Sequence, residues 1–205
     1  MRRTRTRSLA VAALALFPPS FGCATAFPPP PKSVLDAALS KTSYSGSVRV
    51  SLHGPEVRAR ARALVAFERP DRLRIEVPGP GGLRLVVVSR AGRLTAAFPG
   101  ERAVFASEAT AESLESLLGV RLTPSEVMDI LLGSAPAELR SYEARWGQAL
   151  PKAVVAVLAD GTRLGVDIDD AQGDAILPAA AFDDPPHDGY RSLDASEARR
   201  LWSGK

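Results

Sequence analysis

Arg58-Ala59-Arg60-Ala61-Arg62-Ala63-Leu64-Val65-Ala66-Phe67 is the stretch that decides the fold. Ala59, Ala61, Ala63, Val65 and Phe67 take every second place, with Arg58, Arg60 and Arg62 between them. A period of two sends successive side chains to opposite faces of an extended strand, so this strand has one apolar and one charged face. The same alternation runs before it, where Val48, Val50 and Leu52 are set among Ser47, Arg49 and Ser51. It recurs after it, where Leu73, Ile75 and Val77 are set among Arg72, Arg74 and Glu76. Such a succession predicts a mainly β chain whose antiparallel sheet is wet on one side and buried on the other. Residues 83–89, 93–98 and 102–106 continue it, separated by Pro78-Gly79-Pro80-Gly81-Gly82, Ala91-Gly92 and Pro99-Gly100, which are turn signals. Connections this short predict hairpins between neighbouring strands.

Helical signals interrupt the strands. Ser33, with Asp36 three places on and Val34, Leu35, Ala38 and Leu39 sharing a face, predicts a helix ending near Lys41. Residues 110–118 place Leu114, Leu117 and Leu118 on one side, Glu112 and Glu115 on the other, and end on Gly119. Thr123-Pro124-Ser125-Glu126 combines an N-cap hydroxyl, a first-turn proline and a reciprocal cap, followed by Val127, Ile130 and Leu131 on one face and Gly133 as stop. Strands resume over 139–146, 152–159 and 162–169, the last two joined at Asp160-Gly161, a preferred two-residue turn. A further strand is expected near 176–182, and Asp194 with Glu197 opens a final helix toward Trp202 within residues 194–205.

The first 22 residues have another character. Arg2, Arg3, Arg5 and Arg7 precede a nine-residue apolar run from Leu9 to Phe17. That run is too short for a membrane-spanning helix, which needs about 20 residues, and fits the core of an export signal. Ser20-Phe21-Gly22-Cys23 resembles the bacterial lipobox, with the small residue before the cysteine in place and Ser20 standing where leucine is usual. The expectation is cleavage after residue 22 and a covalent diacylglycerol and acyl anchor on Cys23, with no other cofactor or metal. The alternative is an ordinary secretory peptide cut near Ala24 or Ala26. Phe27 and the four prolines Pro28 to Pro31 then make residues 23–32 a stiff polyproline II tether.

Composition agrees with export. The whole chain carries 26 basic and 23 acidic side chains, a formal charge of +3. Without the four arginines of residues 1–22 the remainder is 22 basic against 23 acidic, a net of −1. A nucleic-acid partner would need a basic mature domain, and none is expected. Cys23 is the one cysteine, so no internal disulfide can form. His53 and His187 both lie in loop-like sequence outside any nucleophile or metal motif, and no catalytic signature is present. Asp167, Asp169, Asp170 and Asp174 form an acidic cluster, but Ala171 stands at an alternating ligand place and no glutamate closes a calcium loop. A turn after a strand is expected there, and an enzyme is not.

The motifs Ser45-Gly46-Ser47-Val48-Arg49-Val50, Arg72-Leu73-Arg74-Ile75-Glu76-Val77-Pro78-Gly79-Pro80-Gly81-Gly82, Ser113 to Leu118 with Gly119, and Leu122-Thr123-Pro124 running into Leu131-Leu132-Gly133 carry a resemblance. In this order they resemble the LolA/LolB family of bacterial lipoprotein-sorting proteins, over about residues 33–146 of a domain spanning 33–193. The resemblance implies a curved antiparallel half-barrel, unclosed, with an N-terminal helix and two lid helices around 110–132 over an apolar cavity for acyl chains. Val65, Phe67, Leu73, Ile75, Leu85, Val87, Leu117, Met128 and Leu131 would then be cavity or lid residues, and ordinary core packing is the other reading of each. It implies partners too: a soluble periplasmic carrier delivering acylated cargo, and the outer membrane, to whose periplasmic face a monomer would be anchored. Ala24 after the cysteine, in place of an acidic residue, points the same way. Gly81 occupies the loop position where lipid-anchored members carry a membrane-engaging apolar residue. Two alternatives stay open, a lipid-anchored binding or scaffold module with no carrier activity and, less favoured, a hydrolase.

Overall fold

The structure is a computed structural model, and it describes residues 27–55 and 57–204. Residues 1–22, read as an export signal, and Cys23 and Ala24, read with them as the anchor site, lie outside the described residues.

Among the described residues ten strands form a single open sheet, and four α-helices accompany it. In chain order these are α1 (Lys32–Leu39), β1 (Ser43–His53), β2 (Arg58–Glu68), β3 (Arg72–Gly79), β4 (Gly82–Arg90), β5 (Arg93–Phe98) and β6 (Ala103–Glu108). There follow α2 (Ala111–Leu118), α3 (Pro124–Leu132), β7 (Ser141–Trp146), β8 (Pro151–Val157), β9 (Arg163–Gly173), β10 (Arg191–Ser192) and α4 (Ala195–Ser203). The strand order β10-β6-β5-β4-β3-β2-β1-β9-β8-β7 is a meander through β1–β6, continued on the other side of β1 by the second meander β9-β8-β7. β7 and β10 are its edges, so the sheet does not close on itself. No helix among the described residues is long and apolar enough to cross a membrane.

The alternation read from β1, β2 and β3 sets the inner face. Val48 lies opposite Ala63, Val50 opposite Ala61, Val65 opposite Ile75 and Val77 opposite Leu85. These residues join one continuous core with α2, α3 and α4. The helix starts fall where the caps lie. Thr123 accepts from the Glu126 amide while Glu126 bonds back to the Thr123 amide, and Asp194 and Glu197 repeat this at α4. Gly119 and Gly133 close α2 and α3 in the left-handed conformation, at φ 79° and 93°.

β2 pairs with β3 only between Leu64–Glu68 and Arg72–Glu76. Beyond this the β3–β4 hairpin continues on its own, and residues 58–63 of β2 have no strand on that side. The sheet is split there, over half the length of β2.

Several expectations are corrected. α1 starts at Lys32 with Pro31 as N-cap and no side-chain cap bond, because Pro31 already holds φ and ψ at −54° and 141° and no hydroxyl is needed to end the extended tether. The strand expected over 176–182 does not form. β9 already has β1 and β8 on its two sides, Ile176 is 99% exposed, and Pro178 leads into a single 3-10 turn, Ala179–Phe182. Residues 174–190 instead strap the outer face on their way to β10, which pairs in parallel with β6. Phe182 is buried beneath this strap and Arg74 donates to the carbonyls of Ala181 and Asp183, at 3.2 and 3.3 Å. The sheet is therefore not one-sided throughout, since Leu85 to Ser89 of β4 and Leu94 to Phe98 of β5 are buried on both faces. β8 and β9 are joined by a longer connection than a two-residue turn, with Asp160 accepting from the amide and hydroxyl of Thr162.

The acidic cluster is also relocated. β9 runs to Gly173, so Asp167, Asp169 and Asp170 lie on a strand. Asp169 sits at a bulge and braces two arginines, Arg49 at 2.8 Å and Arg62 at 3.4 Å, while Asp174 pairs with Lys41 at 2.7 Å. Among the described residues no three His, Cys, Asp or Glu side chains gather as a metal site. His53 is the last residue of β1 and not part of a loop.

Candidate functional site

Between the sheet and the helices lies an apolar cavity of about 110 Å³. Its floor is Val48, Val50 and Leu52 of β1, Ala61, Ala63 and Val65 of β2, Ile75 and Val77 of β3, Leu85 and Val87 of β4, and Leu164 and Val166 of β9. Its roof is Leu118 of α2, Val120 and Leu122 after it, Val127, Ile130 and Leu131 of α3, and Trp202 of α4. The hollow follows from side-chain size. Register puts Ala61 and Ala63 of β2 beside Val50 and Val48, and an alanine cannot reach across to the helices as a leucine would.

The nine residues singled out from sequence divide in two. Val65, Ile75, Leu85, Val87 and Leu131 line the cavity. Phe67, Leu73, Leu117 and Met128 are fully buried in the surrounding core and do not line it. Phe67 stacks on Tyr44 with ring centroids 5.1 Å apart, which turns it away to a contact of its own. Sequence reasoning places most of the remaining strand lining on the inner face without assigning it to a cavity, and reads Trp202 only as the end of the final helix. The signal for Trp202 was faint: a large aromatic closing a short amphipathic helix, four places after Ala198.

Trp202 has further distinctions. It is 7% exposed, and its indole Nε1 is buried without a hydrogen-bond partner among the described residues. The Arg84 guanidinium lies 5.9 Å from the ring centroid and donates to the carbonyls of Leu201 and Trp202, at 3.1 and 2.8 Å. A cation at the last carbonyls of α4 satisfies acceptors that the helix leaves open and opposes the negative end of its dipole. Arg199 meanwhile donates to the carbonyl of Glu115 in α2 at 3.1 Å. The final helix is thus held to the hairpin and to a lid helix by arginine-to-carbonyl bonds.

Gly81 sits at the tip of the β3–β4 hairpin with φ of 82°, exposed and with open space where a side chain would project. The exposed apolar side chain of this hairpin is Leu83, two residues on.

No ionisable side chain lines the cavity. The two displaced tyrosines lie outside its wall. Burial, with the Asp170 charge adding to it, pushes the Tyr44 hydroxyl far above its ordinary value, and burial alone does so for Tyr142, whose hydroxyl donates to the Ile130 carbonyl at 3.1 Å. Such a wall can bury apolar groups and offers nothing to transfer a proton.

No family model matches the chain, and no curated protein matches it. Solved structures do show likenesses. A LolA superfamily protein from Nitrosomonas europaea is similar at TM-score 0.46 and 12% identity, over 74% of this chain and 96% of that one. An uncharacterised conserved protein from Thermus thermophilus is similar at 0.44 and 12%, over 78% and 96%. A DUF1329 family protein from Desulfovibrio piger is similar at 0.40 and 12%, over 74% and 96%.

Proposed function

We propose that this protein binds the acyl chain of a lipid or lipoprotein in the cavity beneath α2, α3 and α4, as a lipid-anchored protein of the bacterial outer membrane acting in lipoprotein sorting. The observation that carries the reading is the wall itself, apolar throughout and drawn from five strands and three helices. Burying methylenes in such a space contributes about 0.8 kcal/mol each, which is enough for retention without covalent chemistry. The anchor at Cys23, the soluble carrier as partner and the outer-membrane location rest on residues 1–24 and on the motifs quoted above.

A second reading is a lipid-anchored scaffold of the envelope whose interior is simply packed. The cavity's size favours it, because 110 Å³ is below the ~150 Å³ of an apolar cavity that admits benzene. On the acyl-binding reading the structure is the closed state, and loading separates the helices from the sheet.

Displacement of a fluorescent fatty-acid probe from the purified full chain separates the two. Acyl binding predicts saturable uptake that falls by at least about tenfold in Leu85→Glu, where a carboxylate meets an apolar wall. A folded protein that ignores the probe sinks the carrier reading and leaves the scaffold.

A further inference from the structure

An acyl ligand has a polar end, and the cavity wall offers it no charged partner. The sheet is interrupted along residues 58–63 of β2, which have no strand beyond them, and this gap beside the cavity wall gives that end a way out. On this rim Ala61 and Ala63 face the cavity, and alternation turns Arg58, Arg60 and Arg62 outward, all exposed. Register extends the charge across the outer face. His53 lies opposite Arg58, and Arg163 lies opposite His53 on the next strand. With strands ~4.8 Å apart and alternate residues ~6.7 Å apart, Arg58 and Arg60 flank one point on the rim and Arg163 stands two strands away.

The balance of charge marks this corner out. Arg62 shares Asp169 with Arg49, Arg72 pairs with Glu68, and Arg74 with Glu76. Arg58, Arg60 and Arg163 make no ion pair among the described residues, and Asp167, which borders the same outer-face hollows as Arg60 and Arg163, sets one carboxylate against three guanidinium groups. Gathering like charges on one sheet face is unfavourable unless something neutralises them. A guanidinium fork suits a phosphate or carboxylate group.

Resting on the acyl-binding reading, we propose that the ligand is an anionic amphiphile, whose chain enters the cavity through the split in the sheet and whose headgroup is held by Arg58 and Arg60, with Arg163 adding to the field.

The test is competition for the fatty-acid probe, on the full chain, by three compounds sharing a dodecyl chain: dodecyl phosphate, dodecyl maltoside and dodecyltrimethylammonium. Dodecyl phosphate is expected to bind about tenfold more tightly than the maltoside at low salt, and the cation more weakly than either. The preference is expected to shrink to about twofold or less in R58Q/R60Q and at high salt, where exposed charges are screened. R93Q, which removes an exposed arginine from β5, is expected to leave it intact. Equal binding of all three compounds, or a phosphate preference that survives R58Q/R60Q, overturns the headgroup assignment and leaves the cavity reading standing. Binding of none of them overturns both.

Discussion

Ala61 and Ala63 are the smallest side chains in the cavity wall, and their size is what leaves the space unfilled. Ala61→Leu is therefore expected to fill it, with stability changing by no more than about 1 kcal/mol in urea unfolding while acyl-probe binding falls at least about tenfold. Binding that survives the leucine would mean that the probe sits elsewhere. Trp202 is the complementary case. Removing its ring joins its own volume to the cavity, so Trp202→Ala is expected to cost about 3 kcal/mol in urea unfolding and to shift binding toward longer chains. An unchanged chain-length preference would place Trp202 outside the binding wall. The two positions were not equally legible. Ala61 announced its direction through alternation with Arg60 and Arg62, whereas Trp202 reaches the cavity only because α4 returns across the helices, a long-range event with no local signature.

Elements with a strong period, clear turn signals or a complete cap were readable to within a residue or two: β1 to β3 from alternation, β4 to β6 from the turns between them, α3 from Thr123 and Glu126, α4 from Asp194 and Glu197. The strap over 174–190 was not. Its apolar residues have no period, and the run from Ile176 to Phe182 reads as a strand until Pro178 and the occupied edges of β9 are taken into account. The apolar run of β4 is compatible with burial on both faces, but the sequence reading carries it on as part of a one-sided sheet, because what covers its outer side depends on the tertiary path. The strap begins at Asp174, whose bond with Lys41 ties the end of β9 to the chain two residues before β1. Its carboxyl is held below the ordinary range by the hydrogen bond from Lys41, with the Thr42 amide and the lysine charge adding to it. A lowered folded value means that this stabilisation is present above the ordinary carboxylate pKa and is lost as pH falls through the folded value. Thermal unfolding is thus expected to be flat from pH 7 to about 5 and to decline below about 4. Asp174→Asn, which tolerates the positive φ of 52°, is expected to shallow that decline. An identical acid limb in the variant would show that this tie does not govern it.

At the scale of the molecule, inner-face residues from both meanders and from α2, α3 and α4 belong to one continuous core. A chain so connected is expected to unfold in one step, with far-UV and near-UV circular dichroism giving the same midpoint in urea. Separate midpoints would divide the β7–β9 meander from the rest. The curved sheet and its helices were foreseeable because each local preference pointed to the same arrangement. The split between β2 and β3 was not, since Arg58 to Glu68 keeps one alternation of exposure and pairs along its whole length with β1, while only its second half pairs with β3.

Val48 and Trp202 face the same hollow from opposite ends of the described chain. A chain threaded through a translocon from its N-terminus would deliver the apolar trough of β1 to β4 long before the helix that completes its roof. For that interval the nascent molecule displays the kind of surface a holding chaperone recognises. A protein with an apolar hollow between sheet and helices would thus begin its life needing shelter for that surface.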